Sequence, residues 1–450
     1  MIAVLVWTAF AVLGLSVLYA WRRWHDLFHP LMIIGPMLAF LYWYLPLKLL
    51  SDLQFFTFFN STQILFVQTL NLLGVIAFVA GCNIGSGKPI ALARRRLDQL
   101  QRGRPEGAIA FATLIGTIGL TCWWITVQNT GGLTATFSSS YNIGWSDNGY
   151  IRDAAYLLFS AIILLVFTSP ARKSFRISRN LLVILFASPW IIQAILGARR
   201  GPLFEMAATL GLAYFLSRAR RPKALVFVLA GLAVGYLMLF LLTNRSQIYL
   251  GSDFDLTTDV SSSFGGETGN EFIYGTGVVL HASESQSFYW GKRYLAYLVI
   301  RPIPSIWWPT KYEDVGLADL LHNAGTARGG GIDATLGWKE TEGAAPGIVA
   351  DLWVEMWWLA VPAMWILGYT YGRVWRKGVL TGGIWAAQYV VLVSLTAFLI
   401  LQTMEAVIVR CLLISAPLWF TKLFLNTKKQ IRLRPNQTGV PRHAQSVHSV

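Results

Sequence analysis

Eleven long apolar runs, separated mostly by short basic connections, decide most of what this chain can become. The runs cover residues 2–20, 30–50, 63–82, 108–127, 154–169, 181–196, 203–217, 224–243, 348–371, 379–401 and 405–425. Each is long enough, or nearly so, to cross the roughly 30 Å hydrocarbon core of a bilayer as a helix. Backbone groups in that core meet no water, so such a run must close its own hydrogen bonds. Composition agrees: 55% of residues are hydrophobic and 13% charged, against roughly 25% charged in soluble domains. The expectation is an all-α polytopic membrane protein of about 11 transmembrane helices, forming one integral membrane unit over residues 1–426.

Net charge is +15. In a soluble chain that would point to nucleic acid. Here the Lys and Arg cluster in alternate short connections: Arg22-Arg23, residues 88–104, residues 172–179, residues 218–223 and Arg373 to Lys377. Such residues are held on the cytoplasmic side. The charge therefore reports orientation, with the N-terminus outside and the C-terminus in the cytoplasm, and no nucleic-acid partner is expected. The first run has no basic stretch before it, so it reads as a retained helix and not a cleaved signal. Residues 427–450 form a basic cytoplasmic tail without hydrophobic periodicity, expected to be disordered. Cys82, Cys122 and Cys411 lie in or at the ends of apolar runs, with no metal-ligand spacing and no disulfide framework. Gly85-Ser86-Gly87-Lys88 only echoes a phosphate loop, lacking its full spacing and a preceding strand.

A few cations break the pattern. Gly197-Ala198-Arg199-Arg200-Gly201-Pro202 joins two apolar runs on the outer side. Arg301 interrupts residues 294–309, an apolar piece broken by Pro302 and Pro304 and read as an interfacial or re-entrant segment. Lys311 follows it, and Arg410 lies about two turns into the last run. Arginine near the membrane is costly and usually faces a polar cavity. Its planar, permanently charged fork suits phosphate. The set fits a lipid that carries phosphate or diphosphate. The plainer alternative is that the Arg199-Arg200 pair snorkels to headgroups.

The one long connection, residues 244–347, holds most of the acids and is expected to be extracytoplasmic and functional. Glu205 stands within reach of Arg200 along the helix, though poorly aligned with it. Asp351 and Glu355 are spaced to share a helix face. A base could come from Glu271, His281, His322, Asp351 or Glu355; each acid, taken singly, can equally be a mere partner of the arginines. Tyr141 and Trp145, in the polar connection 128–153, are the candidates for sugar contacts. No acidic metal motif, nucleotide fingerprint or nucleophile elbow is present.

Several patches resemble bacterial oligosaccharide repeat-unit polymerases, the Wzy-type O-antigen and exopolysaccharide polymerases. They are the turn at Arg199-Arg200, Gly269-Asn270-Glu271-Phe272, Tyr289-Trp290-Gly291-Lys292-Arg293-Tyr294, the stretch from Arg301-Pro302 to Lys311, Gly347-Ile348-Val349-Ala350-Asp351-Leu352-Trp353, and Arg410. Two departures are Asp351 where a Glu is expected, and Glu355-Met356-Trp357-Trp358 where a Gly-containing aromatic turn is common. The resemblance implies a GT-C-like membrane glycosyltransferase that needs no cofactor and no metal. Its donor and acceptor would be undecaprenyl-diphosphate-linked glycans, with a chain-length regulator and a flippase as further partners. Arg199, Arg200, Arg301, Arg410, Asp351 and Glu271 would form the catalytic set, and Lys311, Tyr141, Trp145, His281 and Glu355 would bind substrate. An O-antigen-type ligase uses the same donor; a glycolipid or anion transporter is the reading from another class.

Overall fold

The computed structural model describes residues 1–51, 58–88, 105–138, 149–168, 173–218, 220–244, 247–253, 255–258, 271–300, 302–304, 306–315, 346–401 and 403–432. Helices form over all eleven apolar runs, and no strand occurs among the described residues. Eight helical elements are long and apolar enough to cross a membrane: Ile2–Trp24, Pro30–Ser51, Ser61–Ser86, Glu106–Asn129, Gly149–Phe167, Ile177–Ile195, Ala224–Leu241 and Ile348–Thr381. Three helical runs fall outside that set. Arg200–Ser217 opens on a charge and carries Glu205. Gly383–Ser394 is followed by the short Thr396–Leu401. Met404–Arg432 carries Glu405 and Arg410 near its start. It also runs past the boundary expected at residue 426; residues 433–450 lie outside the described set.

The packing has a spine. Ser61–Ser86 opens with a capping box between Asn60 and Gln63, which satisfies backbone donors left over at a helix start. It then lies along Ile348–Thr381 at backbone contact. A Cβ on Gly81 would stand 2.0 Å from the Trp365 carbonyl oxygen, and one on Gly85 2.3 Å from that of Tyr369. Reciprocally, Gly368 and Gly372 would reach 2.1 Å from the Phe78 oxygen and 2.3 Å from the Cys82 oxygen. Paired Gly-x-x-x-Gly faces let membrane helices approach this closely.

The basic connections that the sequence assigns to one side meet at one end of the bundle. Asp26 is fully buried there. It accepts from Arg221 Nε and Nη2 at 2.6 and 2.8 Å, from Trp375 Nε1 at 3.2 Å and from the Phe28 amide at 3.0 Å. His29 stacks on Trp24 at 4.4 Å, meets Trp375 edge-on at 4.6 Å and shares a hydrogen bond of 2.9 Å with Ser86 Oγ. Arg376 donates to the Ser86 and Lys88 carbonyls. The Gly85–Lys88 stretch is thus a helix end and not a helix start, which excludes a phosphate loop.

The opposite end is closed by part of the long connection. Its helix Glu271–Glu284 is buried along most of its length, an element that the run lengths do not announce. Gly275 lets the returning chain press in: a Cβ there would stand 2.2 Å from the Pro346 carbonyl oxygen. The segment around 294–309 forms a short helix Lys292–Leu295, a π-turn Ala296–Ile300 and then turns, with no long helix in its described part. Ile306 and Trp307 are 86% and 79% exposed.

Candidate functional site

The chain reverses between Ile195 and Arg200 in four residues. Ala198 takes a left-handed φ of 46°, and the Arg199 amide bonds back to the Ala194 carbonyl. Arg199 is the N-cap of Arg200–Ser217, and Pro202 falls in the first turn, where no amide is missed. Gly201 matters by its missing side chain: a Cβ would stand 2.6 Å from the Phe398 ring. That ring supports Arg410, whose guanidinium lies 4.0 Å from its centroid and 5.0 Å from that of Tyr156. Arg199 and Arg152 complete the group, both in electrostatic contact with Tyr156. Burial lowers the basicity of Arg199, and the like charges of Arg152 and Arg410 add to this while Tyr156 opposes it. The guanidinium nevertheless stays charged near neutral pH. Arg410 thus lies on the Tyr156 ring, and Arg152, Arg199, Glu205 and Asp153 act on the same tyrosine electrostatically.

Arg200 turns to another partner. Its Nη2 lies 2.5 Å from Glu271 Oε1, at the start of the buried helix. The sequence allowed an Arg200–Glu205 pair. No such bond exists, because five residues along a helix put the two side chains on different faces. Glu205 has no hydrogen-bond partner at either oxygen.

Beside this lies a second charge cluster, centred on Arg293. Tyr289 and Trp290 donate their amides to the Val354 and Glu355 carbonyls at 3.0 and 2.7 Å, which satisfies acceptors at the end of Ile348–Met356. Gly291, with φ 83°, then turns the chain and donates to Glu355 Oε2 at 2.9 Å. This delivers Arg293, 5% exposed, between three buried carboxylates. Its Nη2 meets Asp351 Oδ1 at 2.9 Å, its Nε bonds Glu355 Oε1, and its Nη1 lies 3.9 Å from Glu405 Oε1. Burial opposes the charge, but Asp351, Glu405 and Glu355 together hold the guanidinium well above its ordinary range. Asp351 Oδ2 also accepts the Met404 amide at 2.9 Å and so anchors the last helix. Glu405 belongs to this cluster, although it stands only five residues before Arg410 in the chain.

The remaining candidates are spread more widely. Lys311 is buried and donates to the Ile303 carbonyl. Next to it, Asp314 accepts from Trp308 Nε1 and Thr310 Oγ1, bonds that hold its carboxyl below the usual range. His281 is half-buried on the third turn of Glu271–Glu284. Arg301, Tyr141, Trp145 and His322 lie outside the described residues. In the sequence Arg293 is visible only as part of a resembling patch, and Arg152 carries no local signal that marks it. Among the described residues, no group of three or more His, Cys, Asp or Glu could hold a metal ion.

Chemically, the arrangement offers fixed cations near one end of the bundle and carboxylates that are mostly engaged as their partners. No family model matches the chain, and neither a curated protein nor a solved structure matches it.

Proposed function

We propose that this chain polymerises oligosaccharide repeat units carried on undecaprenyl diphosphate, at the outer face of a bacterial cytoplasmic membrane. All eleven helical runs span the bilayer in a GT-C-like arrangement, with the N-terminus outside. The basic end lies in the cytoplasm, by the preference of Lys and Arg for that side. The end with Arg199, Arg200 and Arg410 then faces outward, where lipid-linked glycans are extended.

The observation that carries the reading is Arg410 lying on the Phe398 and Tyr156 rings, with Gly201 packed against that Phe398 ring and Arg199 and Arg152 in electrostatic contact with the same tyrosine. Cleavage of a glycosyl diphosphate puts negative charge on the leaving group, and preorganised cations in a poorly hydrated site stabilise it strongly. Residue resemblance to repeat-unit polymerases supplies the substrate class. The Arg293 cluster ties the long connection to the late helix and the last helix, so it holds the walls that position both lipids. The exposed Ile306 and Trp307 suit the membrane interface beside that site.

The test is elongation by the purified full-length protein, given a lipid-diphosphate-linked repeat unit, without nucleotide or ion gradient. Products of two or more units are expected. Transfer to a different acceptor alone would make it a ligase, and transport without elongation would overturn the reading.

A further inference from the structure

We propose that Glu205 is the base that takes the proton from the attacking hydroxyl, an inference that rests on the polymerase reading. Glu205 lies five residues into Arg200–Ser217, roughly 7.5 Å along its axis from Arg200. It is 0% exposed, and neither carboxylate oxygen has a hydrogen-bond partner. A buried acceptor without a donor is costly. Such groups are rare in folded proteins and call for an explanation, catalysis among them. Other buried polar atoms share this property, among them two on this helix and the one before it. Thr209 Oγ1 lies one turn on along the same face, and Trp190 Nε1 belongs to a ring 4.7 Å from Tyr156. Gly201, one helical turn before Glu205 on the same face, packs against the Phe398 ring on which Arg410 lies, and Tyr156 is in electrostatic contact with Glu205 and Arg410.

Other carboxylates at this end are engaged. Glu271 accepts from Arg200, Asp153 is paired with Arg152, and Asp351 and Glu355 share Arg293 while each also accepts a backbone amide. A carboxylate already bound to a guanidinium takes a proton poorly. Glu205 keeps its lone pairs, beside the cation that would receive the leaving group. An incoming hydroxyl supplies the donor that it lacks.

The step balances. The acceptor oxygen bonds the anomeric carbon as the bond from that carbon to the diphosphate oxygen breaks. The electron pair leaves on the diphosphate, held by Arg410 and Arg199. The hydroxyl proton passes to Glu205 and later to water.

The experiment uses the full-length chain in lipid nanodiscs. A synthetic undecaprenyl-diphosphate-linked repeat unit serves as donor and acceptor, and undecaprenyl diphosphate is the binding probe. Glu205→Gln keeps the side-chain shape. It is expected to lower kcat by about 100-fold or more, to leave the Kd for the probe unchanged or tighter, and to remove the acid limb of the pH–rate profile. A kcat close to wild type, or a Kd that weakens in step with kcat, overturns the assignment. Should Glu205→Gln fail to fold, Glu205→Asp decides: a slower enzyme with a shifted acid limb supports the base, and an unchanged rate and profile overturn it. A wild type that binds the probe but never elongates overturns the polymerase reading itself, and Glu205's role with it, before any variant is made.

Discussion

At the basic end, Asp26 meets one guanidinium, Arg221, and gives its other contacts to the Trp375 indole and the Phe28 amide. At the opposite end, one guanidinium serves three carboxylates, while Arg410 lies on Tyr156 and Arg199 and Arg152 act on that ring electrostatically. The first arrangement is a closed latch: each charge has a partner, and aromatic rings wall it in. The second is mixed: three carboxylates share Arg293, Arg410 lies on the Tyr156 ring, Glu205 has no hydrogen-bond partner, and Arg152 is paired with Asp153. Charge gathered in this way suits the anionic headgroup of the function proposed above.

Breaking the comparison starts with Arg293. Arg293→Met strands three buried carboxylates, and removing one partner of a buried ion pair costs about 3–5 kcal/mol. Thermal unfolding in detergent should show it as the least stable of the variants named here. Arg410→Ala tests the cationic half. Elongation should fall roughly 100- to 1000-fold, the usual loss when a charge-stabilising donor is removed, with little change in melting temperature. Equal damage to stability and turnover in both variants would erase the distinction between a structural and a functional cluster.

The basic end gives a pH signature. Burial lowers the His29 pKa from 6.5 to about 3, against the pull of Asp26. The unfolded chain therefore binds a proton there more readily than the folded one. His29 contributes its full share of stability above about pH 6.5, and that share is lost as pH falls toward about 3. Melting at pH 4.5 should lie below that at pH 7, by an amount on the order of 2–3 kcal/mol. His29→Asn should flatten the slope. The smallest effect belongs to Arg221→Met. Asp26 keeps two other donors, so the expected cost is about 1–2 kcal/mol, read by the same melting curves with elongation unchanged.

The two ends also differ in how far the chain alone betrays them. Apolar runs and basic connections locate the eleven long helical runs, and the misplaced Arg199-Arg200 pair points to the unusual end. Pairings across it are invisible in the sequence. Arg200 finds Glu271, 71 positions away, while the nearer Glu205 faces elsewhere, because helical direction and not sequence distance decides. Arg293 sits beside Lys292 and reads as an ordinary solvated pair, yet Gly291 turns it inward. The helix Glu271–Glu284 is concealed by its own composition: Gly275, Thr276 and Gly277 interrupt an apolar stretch already too short to span.

Because the backbones of Ser61–Ser86 and Ile348–Thr381 touch at four glycines, these two rods cannot splay without opening a void along their whole seam. They form a keel that runs from Gly74, packed on Val349, to Arg376 at the far end. On the other flank Ala224–Leu241 has only 6% of its length buried, and its Leu241 end packs with Ala198 of the Arg199-Arg200 turn. In the polymerase proposed above, the rigid seam would fix the geometry of transfer, and the exposed flank would be the doorway for the lipid-linked chains.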